Sequence, residues 1–578
     1  MTRKIFLVLH VFAVFGWTIA YGQETPAALK KQKTFCNPMD LNYRFQPRGI
    51  KAFREAADPV ITRYRGKYFL FASHSGGYWY SDSMLDWKYI PIKSLPIENY
   101  APDVLVKGDT VYYTASTHKK GYIYYSTNLF EDNWKPMSKI FPLTYSDPHF
   151  FKDDNGKVFL YSGSSDIEPI TVVELDDNMQ PLGEPVAMIG HNGAEHGWET
   201  FLDANKKEKN GFNEGAWMTK YNNKYYLQYA SPATEEKTYA DGVYISDSPT
   251  GPFKYETYSP FSYKPGGFVG GTGHSSTFED KQGNYWHVST LVITNRSRVE
   301  RRLGLFPASF DKDGVLRTYT AFGDYPTTVP DKKINFEKES LFKGWMLLSY
   351  DKKAKASSFV REFPVENAFD EDIRTWWSAD SGNKGEWLSV ELDNNVTINA
   401  IQVNFADNDS NLRSDSTVDL AYCYRILASD DQKSWRVVVD KSNNTRDACH
   451  EYIELDAPLR AKYIKIENIR IPDGKFSIYD LRIFGIRKGK VPQEVKDFDV
   501  NRNTDSRRAT VKWAKDNSAT GYVVNYGVEV NKRYTSYMVY NCNSVELTGL
   551  NKDLPYYVSI DAFNESGIIK GKRTVIVK

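Results

Sequence analysis

Three acidic residues stand in short motifs of similar form and could together carry out acid–base chemistry. Asp58 lies in Ala-Asp-Pro-Val, Asp147 in Ser-Asp-Pro-His and Glu214 in Asn-Glu-Gly-Ala. Hydrolysis of a glycosidic bond needs one carboxylic acid that protonates the leaving oxygen and another carboxylate that acts on water or on the anomeric carbon. A third carboxylate can keep the acid protonated through repulsion of like charges. The residue types therefore suit hydrolysis, provided that the fold brings them together.

Two further motifs of the same kind contain Asp103, in Ala-Pro-Asp-Val, and His274, in Gly-His-Ser-Ser. A single Asp-Pro pair most often satisfies backbone donors at a turn. Four carboxylates and one imidazole that met in space would, in contrast, be costly as a purely structural device. The repetition of the motif therefore favours a functional site over five separate turns.

Repeated units between about residues 56 and 315 supply the elements that would position these motifs. Each motif is followed by a strand, a tight turn rich in Gly, Asn, Asp or Lys, and a second aromatic or β-branched strand. A third strand follows in most units, and four-stranded units of this length are typical of propeller blades. We predict an all-β chain that begins with a five-bladed β-propeller. Because the first strand of each blade lines the axis, Asp58, Asp103, Asp147, Glu214 and His274 should converge.

The composition excludes several classes of partner. The chain has 74 Lys and Arg against 73 Asp and Glu, without a long basic tract, so the features of a nucleic-acid or membrane-surface binder are missing. Aromatic residues make up 15% of the chain, which suits β-strands and surfaces that stack on sugar rings. We therefore expect an oligosaccharide or polysaccharide partner and a monomeric protein.

The chain also lacks the signals of a disulfide scaffold or an organic cofactor. Its four cysteines are few and scattered, and at most Cys423 and Cys449 could form a bridge. The glycine-rich segment 266–273 lacks the spacing of a phosphate-binding loop and a following helix. No organic cofactor is expected.

The first residues predict export. Arg3 and Lys4 precede an apolar run, and the small residues Ala20 and Gly22 lie where signal peptidase would cut. Residues 1–22 are therefore interpreted as a signal peptide, and the mature protein as secreted or periplasmic, without membrane insertion. An uncleaved anchor is the alternative, since the apolar run could also be retained.

Residues 34–336 contain motifs that resemble glycoside hydrolase family 43. The resemblance covers Ala-Asp-Pro-Val-Ile, then Ser-Asp-Pro-His-Phe-Phe, then Glu-Gly-Ala-Trp-Met, in this order and at propeller spacing. It implies an inverting mechanism with Asp58 as general base, Glu214 as general acid, and Asp147 orienting Glu214 and raising its pKa. Inversion requires carboxyl groups about 6.5–9.5 Å apart. The acid motif departs from the usual Glu-Gly-Pro at Ala216, which weakens any transfer of substrate specificity.

The resemblance also suggests roles around the catalytic carboxylates. His274 corresponds to an axial histidine that helps to hold calcium or another ion, often through water, although a structural histidine is equally compatible. Arg301 corresponds to a substrate-contacting arginine, with a surface salt bridge as the alternative, and its neighbour Arg302 should point the other way along a strand. Asp103 would bind the sugar or support its neighbours.

Two tryptophans are candidates for a stacking wall against a sugar ring. Trp198 lies in His-Gly-Trp-Glu, which resembles a motif of some family members, and Trp79 lies in a predicted third strand. Either side chain could instead pack between blades. We include both among the predicted substrate-binding residues, together with Asp103 and Arg301.

Two further domains are predicted after the propeller. Residues 337–487, with Thr-Trp-Trp and Glu-Trp-Leu-Ser-Val, resemble a discoidin or factor 5/8 type C β-sandwich, which could bind a ligand or act as a spacer. Residues 492–578, with Gly-Tyr-Val-Val-Asn-Tyr, resemble a fibronectin type III sandwich. Neither domain shows a catalytic constellation.

The motifs together predict an exo-acting, inverting glycosidase that removes terminal sugars from plant-type glycans. α-L-Arabinofuranosides are the first expectation, β-xylosides the next, and galactosides or galactofuranosides follow. A non-catalytic carbohydrate-binding propeller is the alternative from another class. A retaining fructan-processing propeller fits less well, because Glu214 lacks the Glu-Cys context of that group.

Overall fold

The computed structural model describes residues 33–47, 49, 51–96, 99–201 and 210–578. The predicted signal peptide lies outside the described residues. The described residues are built from β-strands, with two short 3-10 helices at Gly197–Glu199 and Val365–Ala368. Within the part that the structure describes, no helix has the length and apolar character needed to cross a membrane.

Five antiparallel sheets of four strands follow one another along residues 60–318, and each sheet keeps the chain order of its strands. Blade one contains Val60–Tyr64, Lys67–Phe71, Gly77–Ser81 and Lys88–Pro91. Blade two contains Asp103–Lys107, Thr110–Thr114, Tyr124–Ser126 and Lys135–Pro136. Blade three contains His149–Lys152, Val158–Ser162, Ile170–Leu175 and Val186–Ile189. Blade four contains Glu214–Tyr221, Lys224–Ser231, Ala240–Ser246 and Lys254–Tyr255. Blade five contains Gly270–Glu279, Tyr285–Val292, Arg301–Phe310 and Leu316–Thr318.

The first strands of the five blades form a closed ring. Each contacts the first strand of the next blade, and the first strand of blade five contacts that of blade one. Thr34–Phe35 pairs with Thr327–Thr328, so the chain segments before and after the propeller meet. A second small sheet joins Arg44–Phe45 to Arg54–Glu55. The predicted five-bladed β-propeller is confirmed.

A left-handed backbone conformation marks the start of every blade. It occurs at Asp58, Ala101, Asp147, Gly215 and His274, with φ between 46° and 60°. In blades one to three, the residue before it accepts a hydrogen bond from a backbone N–H just after the second strand, and the donors are Ser73, Ser116 and Gly163. The five blades therefore share one register at the channel entrance.

The second domain is a sandwich of two five-stranded sheets. One sheet contains Met346–Leu347, Trp377–Ser378, Val396–Phe405, His450–Leu459 and Ser477–Arg487. The other contains Ala354–Ala356, Trp387–Glu391, Cys423–Ser429, Arg436–Asp440 and Tyr463–Arg470. All four cysteines are unpaired, so the structure has no bridge between Cys423 and Cys449.

The third domain is a smaller sandwich with its own buried core. A three-stranded sheet contains Phe498–Arg502, Ala509–Trp513 and Ser544–Leu547. A five-stranded sheet contains Gly521–Gly527, Thr535–Tyr540, Tyr556–Asn564, Gly567–Ile569 and Val575–Val577. The fibronectin type III assignment of this domain stays a prediction.

Buried ion pairs and a shared apolar core join the propeller to the second domain. Arg54, which is 0% exposed, donates from Nε to Asp407 Oδ2 at 2.9 Å and from Nη1 to Asp447 Oδ1 at 2.8 Å. One continuous hydrophobic cluster includes Leu303 of blade five and Ile401 of the sandwich. The two domains therefore pack as one body rather than as units on a flexible linker.

Replacement of Arg54 tests the strength of this interface. Arg54→Ala leaves Asp407 buried without its cation, so we expect a loss of about 3–5 kcal/mol in the free energy of unfolding. The matched control is Arg446→Ala, which removes a partly exposed ion pair to Asp40 across the same two domains and should cost about 1 kcal/mol or less. Denaturant unfolding followed by tryptophan fluorescence measures both. Equal losses in the two variants would contradict the assignment of Arg54 as the central buried pair.

Candidate active site

The structure brings Asp58, Asp147, Glu214 and His274 together at one end of the channel. His274 Nδ1 lies 3.4 Å from Asp58 Oδ1 and 3.5 Å from Asp147 Oδ2. Asp147 Oδ2 also accepts a hydrogen bond from the backbone N–H of Gly215 at 3.2 Å, next to Glu214. Side chains from blades one, three, four and five therefore form one cluster.

Gly215 is a position where only a residue without a side chain fits. Its φ is 60°, and a Cβ atom there would lie 2.7 Å from His274 Cγ. The left-handed conformation turns the Gly215 N–H towards Asp147, while the absent side chain lets the imidazole approach the backbone. The Glu-Gly pair therefore sets the spacing between the acid residue and the histidine.

Asp58 is held as a carboxylate by donors on several sides. Ser73 Oγ donates to Asp58 Oδ2 at 2.6 Å, and Arg301 Nη1 donates to Oδ1 at 3.2 Å. Burial raises the pKa of Asp58, but Arg301, followed by His274 and Ser73, outweighs burial and leaves this pKa below its usual 3.8. Asp58 is therefore ionised at neutral pH and can accept a proton.

Arg301 is fixed by partners other than Asp58. Its Nη2 donates to Glu55 Oε1 at 2.6 Å, and its Nη1 donates to Thr234 Oγ1 at 2.9 Å. The side chain is buried rather than part of a surface salt bridge. Arg302 points to the opposite face, as the strand geometry predicts, and donates to His450 Nε2 at 2.9 Å.

Glu214 accepts hydrogen bonds on both carboxylate oxygens. Tyr239 Oη donates to Oε1 at 2.5 Å and Ser164 Oγ donates to Oε2 at 2.9 Å. Burial raises the pKa of Glu214 above its usual 4.5, and the opposing effects of His274, Tyr239 and Ser164 do not cancel this rise. Glu214 therefore keeps a proton to higher pH than an ordinary glutamate.

Asp147 shares this tendency to hold a proton. Burial, opposed by His274 and reinforced by the charges of Glu214 and Asp58, raises the pKa of Asp147 to about 7. Because Asp147 and Glu214 are coupled, the proton belongs to the pair rather than to either side chain. The site thus combines an ionised carboxylate with a protonated pair.

His274 contributes positive charge to the cluster. Burial lowers its pKa, but Asp58, Asp147 and Glu214 together raise this pKa above the usual 6.5. The described residues contain no group of three or more His, Cys, Asp or Glu side chains placed to hold a metal. The donor set therefore does not fit an ion held directly by the protein, and a water-mediated calcium ion stays a prediction.

Asp103 does not belong to the cluster, contrary to our expectation. Strand pairing places it opposite Thr114, in the position that Val60 and His149 occupy in blades one and three. The residue equivalent to Asp58 in blade two is Ala101, two positions earlier. Asp103 is 1% exposed and accepts a hydrogen bond from Phe150 N at 2.5 Å, so it links blades two and three.

The two tryptophans are core residues rather than a stacking wall. Trp198 is 2% exposed, packs against Tyr229 and donates to Tyr255 Oη at 3.0 Å. Trp79 is 0% exposed and donates to Asn42 Oδ1 at 2.7 Å. Neither ring presents a face to the channel, so their prediction as substrate-binding residues is wrong.

Several residues of the site escaped the sequence analysis. Glu55 and Thr234 orient Arg301, and Ser164 and Tyr239 bind Glu214. Glu55 lies three residues before Asp58 and shares no recurring motif with the other blades. Tyr239 stands just before a third strand, where the repeat pattern carries no signal. A single sequence offers no means of selecting them.

Comparison with known proteins agrees with this geometry. Residues 53–316 match the profile of the family described as "Glycosyl hydrolases family 43", and residues 353–480 match the "F5/8 type C domain". A beta-xylosidase of Xylanibacter ruminicola is 26% identical over 324 residues, which are 45% of this chain and 96% of that protein. A xylosidase/arabinosidase of Bacteroides ovatus is 30% identical over 162 residues, 28% of this chain and 45% of that protein.

Solved structures match the chain at lower identity. One chain described as "Glycoside hydrolase" covers 74% of this chain and 97% of its own length, at 17% identity and a TM-score of 0.44. The fold assignment rests on the strands and their pairing described above. Residues 53–316 therefore form a glycosyl hydrolase family 43 domain and residues 353–480 an F5/8 type C domain, and the chain is a glycosidase.

Proposed function

We propose that this glycosidase is an inverting, exo-acting enzyme in which Asp58 is the general base and Glu214 the general acid. The difference in protonation between Asp58 and Glu214 supports these roles most directly. Asp58 has a lowered pKa beside Arg301, whereas burial raises the pKa of Glu214 and of its partner Asp147. A base without its proton and an acid with its proton are the two states that inversion requires.

The proposed reaction is a single displacement. Asp58 removes a proton from water as the water oxygen bonds to the anomeric carbon. Glu214 gives its proton to the leaving oxygen as the glycosidic bond breaks. Asp147 and His274 modulate the charge around Glu214, and Arg301 keeps Asp58 ionised.

The low exposure of most of the cluster supports exo action. Asp58 and Asp147 are each 3% exposed and the His274 side chain is 14% exposed, whereas Glu214 is half-buried. Catalytic groups with so little exposed surface suit one terminal sugar better than the middle of a polymer. Export through the predicted signal peptide, a monomeric state and a calcium ion are further proposals that do not enter this mechanism.

For the sugar, we propose α-L-arabinofuranosides first, β-xylosides next and galactosides or galactofuranosides after them. Relatives described as beta-xylosidase, xylosidase/arabinosidase and beta-D-galactofuranosidase, the last from Aspergillus niger at 29% identity, support all of these sugars as candidates. A screen of aryl arabinofuranosides, xylosides and galactosides ranks them. Binding without turnover across the panel would favour a carbohydrate-binding protein, and proton NMR of the first-formed anomer tests inversion.

Loss of the base and loss of the acid should affect kcat differently when the leaving group of the substrate is changed. Asp58→Asn should lower kcat by about 10²–10⁴-fold on every substrate, because the water loses its base. Glu214→Gln should cause a similar loss with a poor leaving group but a much smaller one with an activated aryl group, which needs no proton. Steady-state kinetics on both substrate types distinguish the roles.

Asp103→Asn is the matched control for these variants. The amide oxygen can still accept from Phe150 N, and the side chain lies outside the cluster, so activity should stay within about threefold of wild type. Wild-type activity in Asp58→Asn, or a loss in Asp103→Asn as large as in Asp58→Asn, would refute the assignment of the base.

The pH profile of kcat/KM should be bell-shaped. Activity requires ionised Asp58, so the acid limb should lie below the usual aspartate pKa of 3.8, where Asp58 gains its proton. Activity also requires the proton of the Asp147–Glu214 pair, so it should fall as pH rises through the raised pKa of this pair. Arg301→Met removes the main cation beside Asp58 and should move the acid limb to higher pH. An unmoved acid limb in a folded Arg301→Met variant would contradict the role of Arg301.

A further inference from the structure

One loop of blade four contacts the surroundings of both the base and the acid. In this 232–239 loop, Thr234 Oγ1 accepts a hydrogen bond from Arg301 Nη1 at 2.9 Å, and Arg301 in turn donates to the base. Tyr239, at the other end of the loop, donates to Glu214 Oε1 at 2.5 Å. A displacement of the loop would therefore alter the base and the acid together.

A turn of the F5/8 type C domain contacts the same loop. Asp372 Oδ1 pairs with Lys237 Nζ at 3.0 Å. Arg374 donates from Nη2 to the carbonyl oxygen of Glu235 at 3.4 Å, and from Nε to the carbonyl oxygen of Ile293 in blade five at 3.1 Å. The Arg374 guanidinium thus connects the 232–239 loop to the neighbouring blade.

The turn itself is fixed to the propeller and has internal hydrogen bonds. Ile373 is 0% exposed within an apolar cluster shared with the propeller, and its N–H donates to the carbonyl oxygen of Phe268 at 3.1 Å. Asp370 Oδ1 accepts from Asp372 N, and Asp372 Oδ1 accepts from Arg374 N, both at 3.0 Å. The turn is therefore a firm support rather than a mobile contact.

We propose that the F5/8 type C domain completes the active site of the propeller, with Arg374 and Asp372 as positioning residues that hold the 232–239 loop. This inference rests on the proposed roles of Asp58 and Glu214, because the loop acts through Arg301 and Tyr239. Catalytic groups need placement within about 0.5 Å, so the loss of an outer support affects the reaction without any contact to the sugar.

The backbone contacts of the loop explain why the second domain is needed. Lys237 O accepts from Gly271 N and Tyr239 O accepts from Thr272 N, both at 2.9 Å, so blade five holds the end of the loop. Glu235, in its middle, receives Arg374 and a long hydrogen bond of 3.5 Å from Thr294. Removal of Arg374 therefore loosens the part next to Thr234 most.

The test compares full-length Arg374→Ala with wild type. We expect a loss of about tenfold in kcat/KM, mainly through kcat. This loss is smaller than the roughly 10²-fold that a 1 Å misplacement of a catalytic group can cause. Thr234 accepts a hydrogen bond from Arg301, which lowers the pKa of Asp58, so a loosened Thr234 should move the acid limb to higher pH, as should Arg301→Met. Arg374→Lys, which keeps a donor and the charge, should recover part of the loss.

Arg446→Ala is the matched control, since it breaks an arginine–aspartate pair between the same two domains without contacting the loop. It should change thermal stability but not the acid limb. Equal pH profiles in Arg374→Ala and wild type, or equal activity losses in Arg374→Ala and Arg446→Ala, would overturn the proposal.

Hydrogen exchange provides a readout that does not depend on activity. Residues 232–239 should exchange faster in Arg374→Ala than in wild type or Arg446→Ala, and unchanged exchange would overturn the positioning role. A wild-type enzyme that hydrolyses no glycoside would instead refute the proposed function, while the exchange result would still decide whether the second domain holds the loop.

Discussion

The repulsion among three carboxylates at one end of a channel, with Asp58 and Asp147 buried and Glu214 half-buried, is the constraint on which the rest of the site depends. Charges withdrawn from water interact strongly, so three neighbouring carboxylates cannot all remain ionised without compensation. Arg301 supplies positive charge beside Asp58 alone, His274 lies between Asp58 and Asp147, and Asp147 and Glu214 retain a proton instead. The unequal placement of the cations therefore creates the difference between base and acid.

The backbone at the blade starts places these charges. The left-handed residue that opens a blade points its N–H towards the preceding blade, where a hydroxyl accepts it: Ser73 for Ala101, Ser116 for Asp147 and Thr290 for Asp58. In blade three, Gly163 occupies the position of the hydroxyl residue, because its N–H donates to Ser146 O as the N–H groups of Ser73 and Ser116 donate in blades one and two. At that junction the N–H of Gly215 is bound by Asp147 itself. Because Gly163 has no hydroxyl group, the carboxylate of Asp147 takes its place and binds the backbone next to Glu214.

The sequence allowed prediction of the fold and most of the cluster because both follow from a repeat. The five motifs, turns and strand pairs recur at blade spacing, and the position of a residue in a repeat determines its place around an axis. Asp103 was wrongly predicted to lie in the cluster because its motif was aligned with the others by matching Asp103 to Asp58 and Asp147. Alignment on Pro59, Pro102 and Pro148, which follow the left-handed residue in blades one to three, places Ala101 at the blade start.

The residues that could not be predicted lie outside the repeat. Tyr239, Glu55 and Thr234 reach the site from segments whose course depends on tertiary packing. Trp198 and Trp79 resemble sugar-stacking residues by type, and burial decides between stacking on a ligand and packing in the core. Residue type and spacing therefore identify the side chains that lie at equivalent positions of the blades, but not the residues that hold these side chains in place.

The burial of charge between the propeller and the second domain argues that the two domains fold and act as one body. Arg54 is paired with Asp407 and Asp447 at full burial, and an apolar cluster runs through both domains. If the second domain were absent, Arg54 would lose both carboxylates and a large apolar surface would face water. A spacer or a tethered sugar-binding module needs no such interface, because a linker suffices to connect it. The turn at Asp372 and Arg374, which reaches the loop beside the acid, is the part of this interface nearest to the chemistry.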